Sequence, residues 1–373
     1  MRGNNVLGLI IANADDGVLS EITGIRSMAS VPFGGGYRLV DFVLSNMVNA
    51  GMAKVGVITD NNYQSLMDHI GSGKPWDLSR KTEGLYLLPP FNQEAVDNYN
   101  AGWIGALRNV ANFLERSKEE YIFLTSCTYV ANLDLSAVFA AHEAGNADIT
   151  ILTRSGKIPA LRDVLAIDGK DGARITGMHI ADRNDGEGEF ALSAVLIKKS
   201  LLQRLVGAAF HKGGKSFEKN VLLQNLDRLN VCAYPVETFC PVLDSMKSYF
   251  DANFALLQPG NYDSLFCSPD RPVMTKVYED MPAVYGLGSD VKNSLIADGC
   301  IIDGEVENCI LFRNCRVEKD AVVKNSILLP GGFIGHGAMV NYCIMDKAVT
   351  LRSGKTLSGA DTYPVFIGKN IQI

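Results

Sequence analysis

The sequence predicts two structural parts, an α/β domain with a mostly parallel sheet and a parallel β-helix that follows it. Three observations support this prediction. Short apolar runs alternate with helical segments in residues 1–257, and a segment without periodicity follows in residues 258–285. Residues 286–373 then carry a short repeat. Alternating strand and helix signals indicate a parallel sheet with crossover helices, and a short repeat indicates stacked coils.

Composition and charge exclude several classes of protein. The chain has 373 residues, of which 47% are hydrophobic, so it can bury a sizeable core. Its formal net charge of -6 gives no basic field for nucleic acid or anionic membranes. No apolar run approaches the ~18 residues of a membrane span, and the start of the chain lacks a small-residue cleavage site. We therefore expect a cytoplasmic protein with no nucleic-acid or membrane partner.

The eight cysteines predict neither disulfides nor structural zinc. They form no C-x-x-C pair, and most of them lie in apolar, strand-like surroundings. Reduced cysteines behave as small hydrophobic residues. We therefore expect free thiols.

The α/β domain begins with a strand signal at its N-terminus. Short apolar runs predict buried strands, and apolar residues spaced three or four apart predict helices. The predicted strands are Val6 to Ile11, Lys54 to Thr59, Tyr121 to Thr125 and Asp148 to Thr153. The predicted helices are Ala106 to Glu115 and Ser136 to Ala144. This alternation indicates crossover connections within one sheet.

The segment from Gln258 to Tyr285 is predicted to link the two parts. It is rich in Pro and Asp and shows no clean period. Such composition is typical of a connection between domains.

An internal repeat begins after Val291. The segments NSLIADG, NCILFRN, NSILLPG and YCIMDKA start at Asn293, Asn308, Asn325 and Tyr342, at intervals of 15, 17 and 17 residues. Between them, aliphatic residues recur every five or six positions, at Val306, Leu311, Val317, Val322, Leu328, Ile334, Val340 and Met345. A hexapeptide period with three strands per coil indicates a β-helix. A meandering β-sandwich is the alternative.

One histidine of the repeat is a candidate catalytic residue. Hexapeptide repeats also occur in acyltransferases, in which a histidine of a coil serves as the base. His336, in the segment GFIGHGA, is the candidate for that role. An exposed turn histidine without a catalytic role is the alternative, and we favour it.

The segment VPFGGGYRLVDFVLSNMVNAGM, from Val31 to Met52, resembles the ADP-glucose pyrophosphorylases, which are glucose-1-phosphate adenylyltransferases. The N-terminal strand, the SYFDAN stretch from Ser248 to Asn253 and the C-terminal coils occur in the order of that family. The resemblance therefore extends over nearly the whole chain. It implies a Rossmann-like nucleotidyltransferase domain followed by a left-handed parallel β-helix.

The family's phosphate-binding loop, G-G-x-G-x-R-L, is degenerate here. Nucleotidyl transfer needs backbone amides, cations and Mg²⁺ to neutralise the triphosphate. An alignment without gaps, anchored on Phe33, places Asn13 to Leu19 at the loop, so that Asp15 and Asp16 stand at the triphosphate and Val18 replaces the Arg. Like charges at close range disfavour binding, so we expect this loop to reject ATP. An acidic surface turn without function is the alternative, and it could not hold phosphate either.

The resemblance places other substitutions at the family's reactive positions. The R-A-K-P stretch becomes Arg26 to Ala29, and its phosphate-binding Lys becomes Met28. The two metal-binding Asp positions become Cys127 and Val242, with Asp244 two residues out of register. A thiol and an alkyl group are poor ligands for Mg²⁺, which prefers oxygen.

Two further correspondences come from looser alignments. The sugar-phosphate Lys of the family's F-V-E-K-P segment becomes Ala181. The G-T-A-D loop becomes Gly102 to Gly105.

These substitutions all remove affinity for the same polyanion, while the scaffold motif PFGGGYRLVDF survives. The pattern resembles the catalytically deficient GlgD-type subunits that accompany an active GlgC-type subunit in bacterial glycogen synthesis. The resemblance implies a regulatory chain with no catalytic residue and no cofactor of its own, because Mg²⁺ is bound by the catalytic partner. The alternative is an active sugar-phosphate nucleotidyltransferase with rearranged metal ligands, such as Asp15 or Asp16.

We expect a hetero-oligomer with the catalytic subunit, and a homodimer is the alternative when the chain is expressed alone. The family forms tetramers. A stack of coils also leaves end strands that need to be covered.

Three retained cations predict a regulatory anion site. In the family, phosphorylated metabolites bind near the junction of the two domains. This chain keeps a cation at each of the three corresponding positions, Arg26, Arg38 and Lys347. Converging guanidinium and ammonium groups would form an anion site. The alternative is that Arg26 pairs with Glu21, and Arg38 with Asp41.

Overall fold

The computed structural model describes residues 2–90, 102–182 and 185–373. The strands of the first domain are β1 (Val6–Ile11), β2 (Pro32–Phe33), β3 (Tyr37–Arg38), β4 (Lys54–Ile58), β5 (Gly84–Leu88), β6 (Tyr121–Ser126), β7 (Ile149–Lys157), β8 (Leu165–Asp171), β9 (Arg174–Ile180), β10 (Glu187–Lys198) and β11 (Val231–Pro235). The α-helices are α1 (Ser20–Thr23), α2 (Leu39–Asn49), α3 (Gln64–Ile70), α4 (Trp103–Asn109), α5 (Ala111–Arg116), α6 (Leu135–Ala144), α7 (Lys199–His211), α8 (Met246–Ala255) and α9 (Pro259–Phe266). Within the described residues, no helix is long and apolar enough to cross a membrane.

Nine of these strands form one sheet, in the order β5-β4-β1-β6-β10-β7-β11-β9-β8. β1 pairs in parallel with β4 and β6, β4 pairs in parallel with β5, and β7 pairs in parallel with β11. β10 is antiparallel to β6 and β7, and β9 is antiparallel to β8 and β11. Two strands therefore run against the other seven, so the sheet is mostly parallel, as predicted.

The sheet is covered on both faces. All six residues of β1 are buried, and alternate residues belong to different hydrophobic clusters. Val6 and Ile10 pack with α2 on one side, and Leu7 and Leu9 pack against α4 on the other. A continuous apolar run is typical of a central strand that is buried on both faces.

The predicted elements agree closely with the observed ones in this domain. β1 has its predicted bounds, β4 lacks only Thr59, and β7 extends four residues further, to Lys157. The single helix predicted from Ala106 to Glu115 is wrong in one respect, because α4 and α5 are separate. Val110, which lies between them, has φ -98° and ψ 13°. These angles leave the α-helical range and break the helix.

The C-terminal part is a parallel β-helix. Its strands are β12 (Val284–Tyr285), β13 (Asp290–Lys292), β14 (Leu295–Ile296), β15 (Ile301–Ile302), β16 (Glu305–Glu307), β17 (Ile310–Leu311), β18 (Arg316–Val317), β19 (Val322–Lys324), β20 (Ile327–Leu328), β21 (Phe333–Ile334), β22 (Met339–Asn341), β23 (Cys343–Met345), β24 (Thr350–Leu351), β25 (Thr356–Ser358) and β26 (Val365–Ile367). They form three five-stranded parallel sheets, each of which takes every third strand. The predicted β-helix is therefore observed, and the alternative β-sandwich is wrong.

The repeat corresponds to one corner of the coils. Asn293, Asn308, Asn325 and Tyr342 all have positive φ, between 41° and 51°. The three Asn side chains are stacked, with Asn293 Nδ2 donating to Asn308 Oδ1 at 2.7 Å and Asn308 Nδ2 donating to Asn325 Oδ1 at 3.3 Å. Asn tolerates the left-handed conformation better than other side-chain-bearing residues, which explains its recurrence at this corner.

The aliphatic positions of the repeat point inward with one exception. Val306, Leu311, Val317, Leu328, Ile334, Val340 and Met345 are buried in the core of the coils. The prediction for Val322 is wrong by one residue, because Val323 is the buried residue of β19. Val322 pairs instead with Glu305 and Met339 on the half-exposed face of its sheet.

The segment predicted as a linker contains regular structure at both ends. Helix α9 begins at Pro259, and β12 pairs in parallel with β15, so that Val284 lies beside Ile301. Between them, Ser45 Oγ accepts a hydrogen bond from the Met274 amide at 2.8 Å, and Thr275 Oγ1 donates to Asp41 at 2.5 Å. This connection is therefore packed along α2.

Candidate functional site

A cleft opens where the parallel strands β1, β4 and β6 end. Asn13 follows β1, Asp60 follows β4, and Cys127 follows β6. The carboxyl ends of parallel strands are the usual place for a ligand site in an α/β sheet. A cavity of about 240 Å³ lies there, lined by the loop after β1, by Asp60, by the start of α4 and by the segments around Asp163 and Glu218.

Asp15 lines this cavity. Its backbone is left-handed, with φ 55°. Burial raises the pKa of the Asp15 carboxyl to about 6, and the charge of Asp163 raises it as well, against a backbone hydrogen bond and the charge of Arg162 that lower it. The loop from Asn13 to Leu19 therefore brings a carboxylate to the cavity and carries no cation of its own.

Asp16 is used inside its own loop. Its Oδ2 accepts a hydrogen bond from Asn13 Nδ2 at 2.7 Å, and its Oδ1 accepts one from the Met28 amide at 2.7 Å. Burial raises its pKa to about 6. The Asp16 carboxylate therefore links the loop after β1 to Met28, which follows α1, and each of its oxygens accepts one of these hydrogen bonds.

Val18 and Met28 pack apolar atoms at the two positions that the resemblance assigns to cations. Val18 is half-buried and contacts the core of the first domain, and Met28 is fully buried in that core. Neither side chain can neutralise phosphate. The structure therefore places both residues in the scaffold.

The two positions that the resemblance assigns to metal ligands are brought together. The segment after β6 pairs with the segment after β11 through an antiparallel bridge between Tyr129 and Val242. Cys127 is 0% exposed within the apolar core, and burial raises the pKa of its thiol well above its ordinary value. Val242 lines a groove of about 520 Å³.

The residues present do not fit Mg²⁺. A thiol that stays protonated and an alkyl side chain offer no oxygen ligand. Asp244 is the carboxylate beside Val242, but its Oδ2 accepts from the Ala160 amide at 2.9 Å and its Oδ1 from the Ser245 hydroxyl at 3.1 Å. Among the described residues, no three His, Cys, Asp or Glu side chains are grouped closely enough to hold a metal ion.

Ala181 and the loop at Gly102 lie around the same cleft. The Ala181 amide donates to the carbonyl oxygen of Val164 at 2.8 Å, next to Asp163 in the cavity wall. Gly102 has φ 84° and precedes α4, whose first residue, Trp103, also lines the cavity. The alanine supplies no charge for a sugar phosphate.

Sequence reasoning did not find three acidic residues of the cavity wall, which are Asp60, Asp163 and Glu218. Burial raises the pKa of the Glu218 carboxyl to about 7, and the charges of Asp163 and Asp15 raise it as well. Burial also raises the pKa of Asp60. An acidic residue directly after a predicted strand could have indicated Asp60, whereas Asp163 and Glu218 lie in segments without such a signal.

A second feature lies at the junction of the two domains. Arg26 Nη2 donates to Asp346 Oδ1 at 2.9 Å and to Asp346 Oδ2 at 2.7 Å. Both side chains are 2% exposed. Arg26 Nη1 is also buried, and no residue of the described chain accepts a hydrogen bond from it. This ion pair joins the loop after α1 to the β-helix, since Asp346 directly follows β23.

Arg38 and Lys347 contribute charge to the same region. Arg38 Nη1 donates to the carbonyl oxygen and hydroxyl of Ser65. Burial lowers the pKa of Arg38, and the charge of Arg26 lowers it too. Burial lowers the pKa of the Lys347 ammonium to about 7, and the charges of Arg38 and Arg26 lower it as well. The three predicted cations are therefore close enough to repel one another.

The alternative pairings of these cations differ from the contacts observed. The carboxylate that binds Arg26 belongs to Asp346 and not to Glu21. Asp41 Oδ2 accepts from the backbone amide of Arg38 at 2.9 Å and so caps α2, while its Oδ1 lies 2.6 Å from His69 Nε2.

His336 lies in an exposed turn of the β-helix. Its side chain is 62% exposed, and its Nδ1 is 2.7 Å from the carbonyl oxygen of Lys319. This environment agrees with the exposed turn histidine that we favoured.

Comparison with known proteins supports both domains. The family described as "Nucleotidyl transferase" matches residues 17–159, and the family described as "GlmU-like, C-terminal hexapeptide" matches residues 283–362. The chain is similar to the glycogen biosynthesis protein GlgD of Bacillus subtilis (strain 168), with 31% identity over 375 residues that cover 100% of this chain and 98% of the relative. The GlgD of Geobacillus stearothermophilus is 32% identical over 320 residues, covering 86% of this chain and 83% of the relative.

A third relative is named for an enzyme. The glucose-1-phosphate adenylyltransferase of Clostridium botulinum (strain Alaska E43 / Type E3) is 30% identical over 338 residues, covering 88% of this chain and 85% of the relative. Similarity over the full length, together with the two-domain architecture, shows that this chain belongs to the ADP-glucose pyrophosphorylase family and is GlgD-like.

Proposed function

We propose that this chain is a regulatory, catalytically deficient subunit of glucose-1-phosphate adenylyltransferase in bacterial glycogen biosynthesis. In this proposal, a GlgC-type partner subunit makes ADP-glucose and pyrophosphate from ATP and glucose 1-phosphate. The chain would act in the cytoplasm and would contribute no turnover and no cofactor site of its own. Mg²⁺ would be bound by the partner.

The charge of the cleft is the observation that carries this proposal. The carboxylates of the cavity wall outnumber its cations, with Asp15, Asp60, Asp163 and Glu218 against Arg162 and Lys215. A triphosphate brings about four negative charges, which such a wall would repel. The metal positions, Cys127 and Val242, offer no oxygen that could compensate.

The names of the relatives support the pathway. Two of them are named as glycogen biosynthesis proteins and one as a glucose-1-phosphate adenylyltransferase. A chain that has the architecture of the enzyme but lacks its metal-binding and phosphate-binding side chains would serve the pathway as a partner of the active enzyme.

Assembly with that partner is part of the proposal. Among the strands of the described residues, β12 is the end strand of its sheet and pairs on one side only, with β15. Val284, Tyr285 and Leu287 in the same coil are large hydrophobic residues that are exposed. An exposed end strand with apolar side chains is suited to being covered by another subunit.

Regulation would come from the junction. Arg26, Arg38 and Lys347 would bind the phosphate group of a phosphorylated metabolite, since guanidinium groups bind phosphate well and Lys adds a point charge. Burial lowers the pKa values of Arg38 and Lys347, and the charge of Arg26 lowers them further, so an anion at the junction would offset part of the cost of burying these cations.

The test is an assay of the isolated chain with Mg²⁺, ATP and glucose 1-phosphate, with the GlgC-type subunit as the positive control. We expect no turnover by the chain alone and changed kinetics of the partner after co-expression, with both chains eluting together on sizing. Turnover by the isolated chain near that of the control would favour the alternative of an active enzyme with rearranged ligands such as Asp15. A parallel assay with an acyl donor tests the acyltransferase reading of His336, and we expect no transfer.

A further inference from the structure

A second cavity lies at the opposite end of the central sheet from the cleft. The cleft opens where β1, β4 and β6 end, whereas this cavity opens where β6 and β7 begin and where β10, which is antiparallel to both, ends. Its volume is about 320 Å³, and its wall includes His142, Asp148, Lys198, Ser200 and Arg204. No residue of this wall belongs to the cleft or to the junction of the two domains. The cavity is therefore a separate feature.

The N-terminus of helix α7 forms part of this wall. The helix begins at Lys199, directly after β10, and its N-cap residue, Lys198, makes no side-chain cap. The Lys199 amide donates to the carbonyl oxygen of Glu120 at 2.8 Å. The next two residues, Ser200 and Leu201, line the cavity. Because the first amides of a helix lack acceptors within the helix and carry partial positive charge, this end of α7 favours an anion.

His142 adds a buried polar group to the wall. It is 4% exposed and lies in the last turn of α6. Its Nδ1 is 2.8 Å from Thr150 Oγ1, and no described residue makes a hydrogen bond with its Nε2. Burial lowers the pKa of His142, although the charges of Glu143 and Asp148 raise it, so the ring is neutral near physiological pH. When the Thr150 hydroxyl donates to Nδ1, Nε2 carries the ring proton and is a donor for the cavity.

The two cations of the wall differ in their partners. Lys198 Nζ is paired with Glu120 Oε1 at 2.8 Å. Arg204 is exposed and forms no ion pair with the described residues. It lies four positions after Ser200, so the two residues share one face of α7. A guanidinium binds an oxyanion through two parallel N–H groups, so Arg204 is the cation that is available to a ligand.

One carboxylate, that of Asp148, lines the same cavity. Its Oδ2 accepts from the Asn230 amide at 2.9 Å, and no donor to its Oδ1 is present in the described part of the chain. A carboxylate repels an anion unless the anion presents an O–H group, which the carboxylate can accept. A phosphate group keeps such a proton near neutral pH, since its second pKa is about 6, whereas sulfate has none. Asp148 therefore favours a phosphate group over sulfate.

We propose that this cavity binds a protonated phosphate group, either the free ion or a monoester. The phosphate oxygens accept hydrogen bonds from the amides at the start of α7, from His142 Nε2 and from the Arg204 guanidinium, while the P–OH group donates to Asp148. Neither the cleft nor the cations of the junction take part. The inference therefore goes beyond the function proposed above.

The first experiment compares phosphate with sulfate. The full chain is titrated calorimetrically with sodium phosphate and with sodium sulfate, at equal ionic strength and about pH 6, where phosphate is protonated. We expect the unchanged chain to prefer phosphate, and Arg204→Gln to bind phosphate about tenfold more weakly. Asp148→Asn should bind sulfate about as tightly as phosphate. Unchanged phosphate affinity in Arg204→Gln, or an unchanged preference in Asp148→Asn, would overturn the proposal.

The matched control is Arg352→Gln. Arg352 is an exposed arginine of the β-helix, outside the cavity wall, and it forms no ion pair with the residues that the structure describes. Its replacement removes the same charge as Arg204→Gln and should leave the phosphate affinity unchanged. An equal loss of affinity in the two variants would mean that net charge sets the binding and would overturn the site.

The second experiment uses the unchanged chain and so needs no variant that folds. Nuclear magnetic resonance of the histidine side chains follows the Nε2 resonance of His142 during titration with phosphate. We expect this resonance to move with phosphate and to stay in place with sulfate, while the exposed His336 responds to neither. A His142 resonance that does not move at phosphate saturation would show that the anion binds elsewhere and would overturn the proposal.

Titration with glycerol phosphate distinguishes the two sources of the phosphate group. Tighter binding of the ester than of inorganic phosphate, lost in Arg204→Gln, would assign the cavity to a phosphate monoester. Tighter binding of the inorganic ion, lost in the same variant, would assign it to free phosphate. Binding of neither would overturn the proposal. None of these readouts involves catalysis, so a chain that proves to be an active enzyme would refute the proposed function and leave this site standing.

Discussion

The backbone amide of Leu243 donates a hydrogen bond of 2.7 Å to the carbonyl oxygen of Thr128. This bond fixes the segment after β6 against the segment after β11, with Tyr129 and Val242 paired between them. The two segments to which the resemblance assigns the metal ligands are therefore held together, and Cys127 and Val242 at those positions offer no oxygen ligand.

Restoring catalysis should require both the phosphate loop and the metal ligands. The triple variant Asp15→Gly, Asp16→Gly, Val18→Arg should give no turnover, because no oxygen ligand would hold Mg²⁺. Adding Cys127→Asp and Val242→Asp should give measurable turnover in an assay of pyrophosphate release. Strong activity of the triple variant alone would show that the metal assignment is wrong.

Stability should fall as the pH rises through the pKa of Asp15. The folded-state pKa of about 6 is above the ordinary value of an aspartate, so the folded chain binds more protons than the unfolded chain between about pH 4 and pH 6. The resulting stabilisation is present at low pH and is lost as the pH rises through 6. Removing the charge of Asp15 should therefore raise the free energy of unfolding at neutral pH.

The variant Asp15→Asn tests this sign. At pH 7.5 it should raise the free energy of unfolding by on the order of 1 kcal/mol after solvent screening, and the gain should vanish below about pH 4. Denaturant unfolding at several pH values gives the measurement. Glu21→Gln, which removes an exposed carboxylate on α1, is the matched control. A loss of stability in Asp15→Asn at pH 7.5 would contradict the prediction.

The stacked asparagines should stabilise the β-helix in two separable ways, through their left-handed backbone conformation and through their side-chain hydrogen bonds. Asn308 has φ 51° and bonds to Asn293 and Asn325. Asn308→Gly loses the bonds but keeps the conformation, while Asn308→Ala also incurs the ~1–2 kcal/mol cost of a left-handed alanine. Thermal unfolding should therefore rank the unchanged chain above the glycine variant and the glycine variant above the alanine variant. Equal stability of the two variants would show that the positive φ costs nothing here.

One glycine of the β-helix should not tolerate a side chain. A Cβ on Gly304 would lie 2.4 Å from the carbonyl oxygen of Ala321 and 2.8 Å from that of Glu318, both in the next coil. Because neither atom can move without shifting the coil, Gly304→Ala should cost about 1–3 kcal/mol of stability. Gly288→Ala, whose nearest contact would be at 3.8 Å, is the control and should cost little by the same measurement.

Periodicity was sufficient to predict the main elements of this fold. β1 is buried on both faces, and such a strand must be apolar throughout, so its bounds are visible in the sequence. The positive φ at the coil corners favours Asn, so the repeat is visible as well. The errors are local. Val110 breaks a helix without any sequence signal, and Val323 rather than Val322 enters the core.

The site was only half predictable. The resemblance compares residue types, so it was enough to predict a loss of charge at Val18, Met28 and Cys127, which stays a prediction. The acidity of the cavity was not predictable, because Glu218 comes from a segment far from Asp15 in sequence and only the fold makes them neighbours.

The sequence by itself determined which residues repeat, which are apolar and which cations survive, since these follow from residue type and spacing. Only the tertiary structure decided what the cations contact. Arg26 could have paired with Glu21, five positions away, yet it pairs with Asp346, 320 residues away, because the first domain and the β-helix together exclude water around both side chains. Burial of this kind depends on atoms from distant segments, and it is burial that sets the pKa of Lys347 and leaves Nη1 of Arg26 without an acceptor.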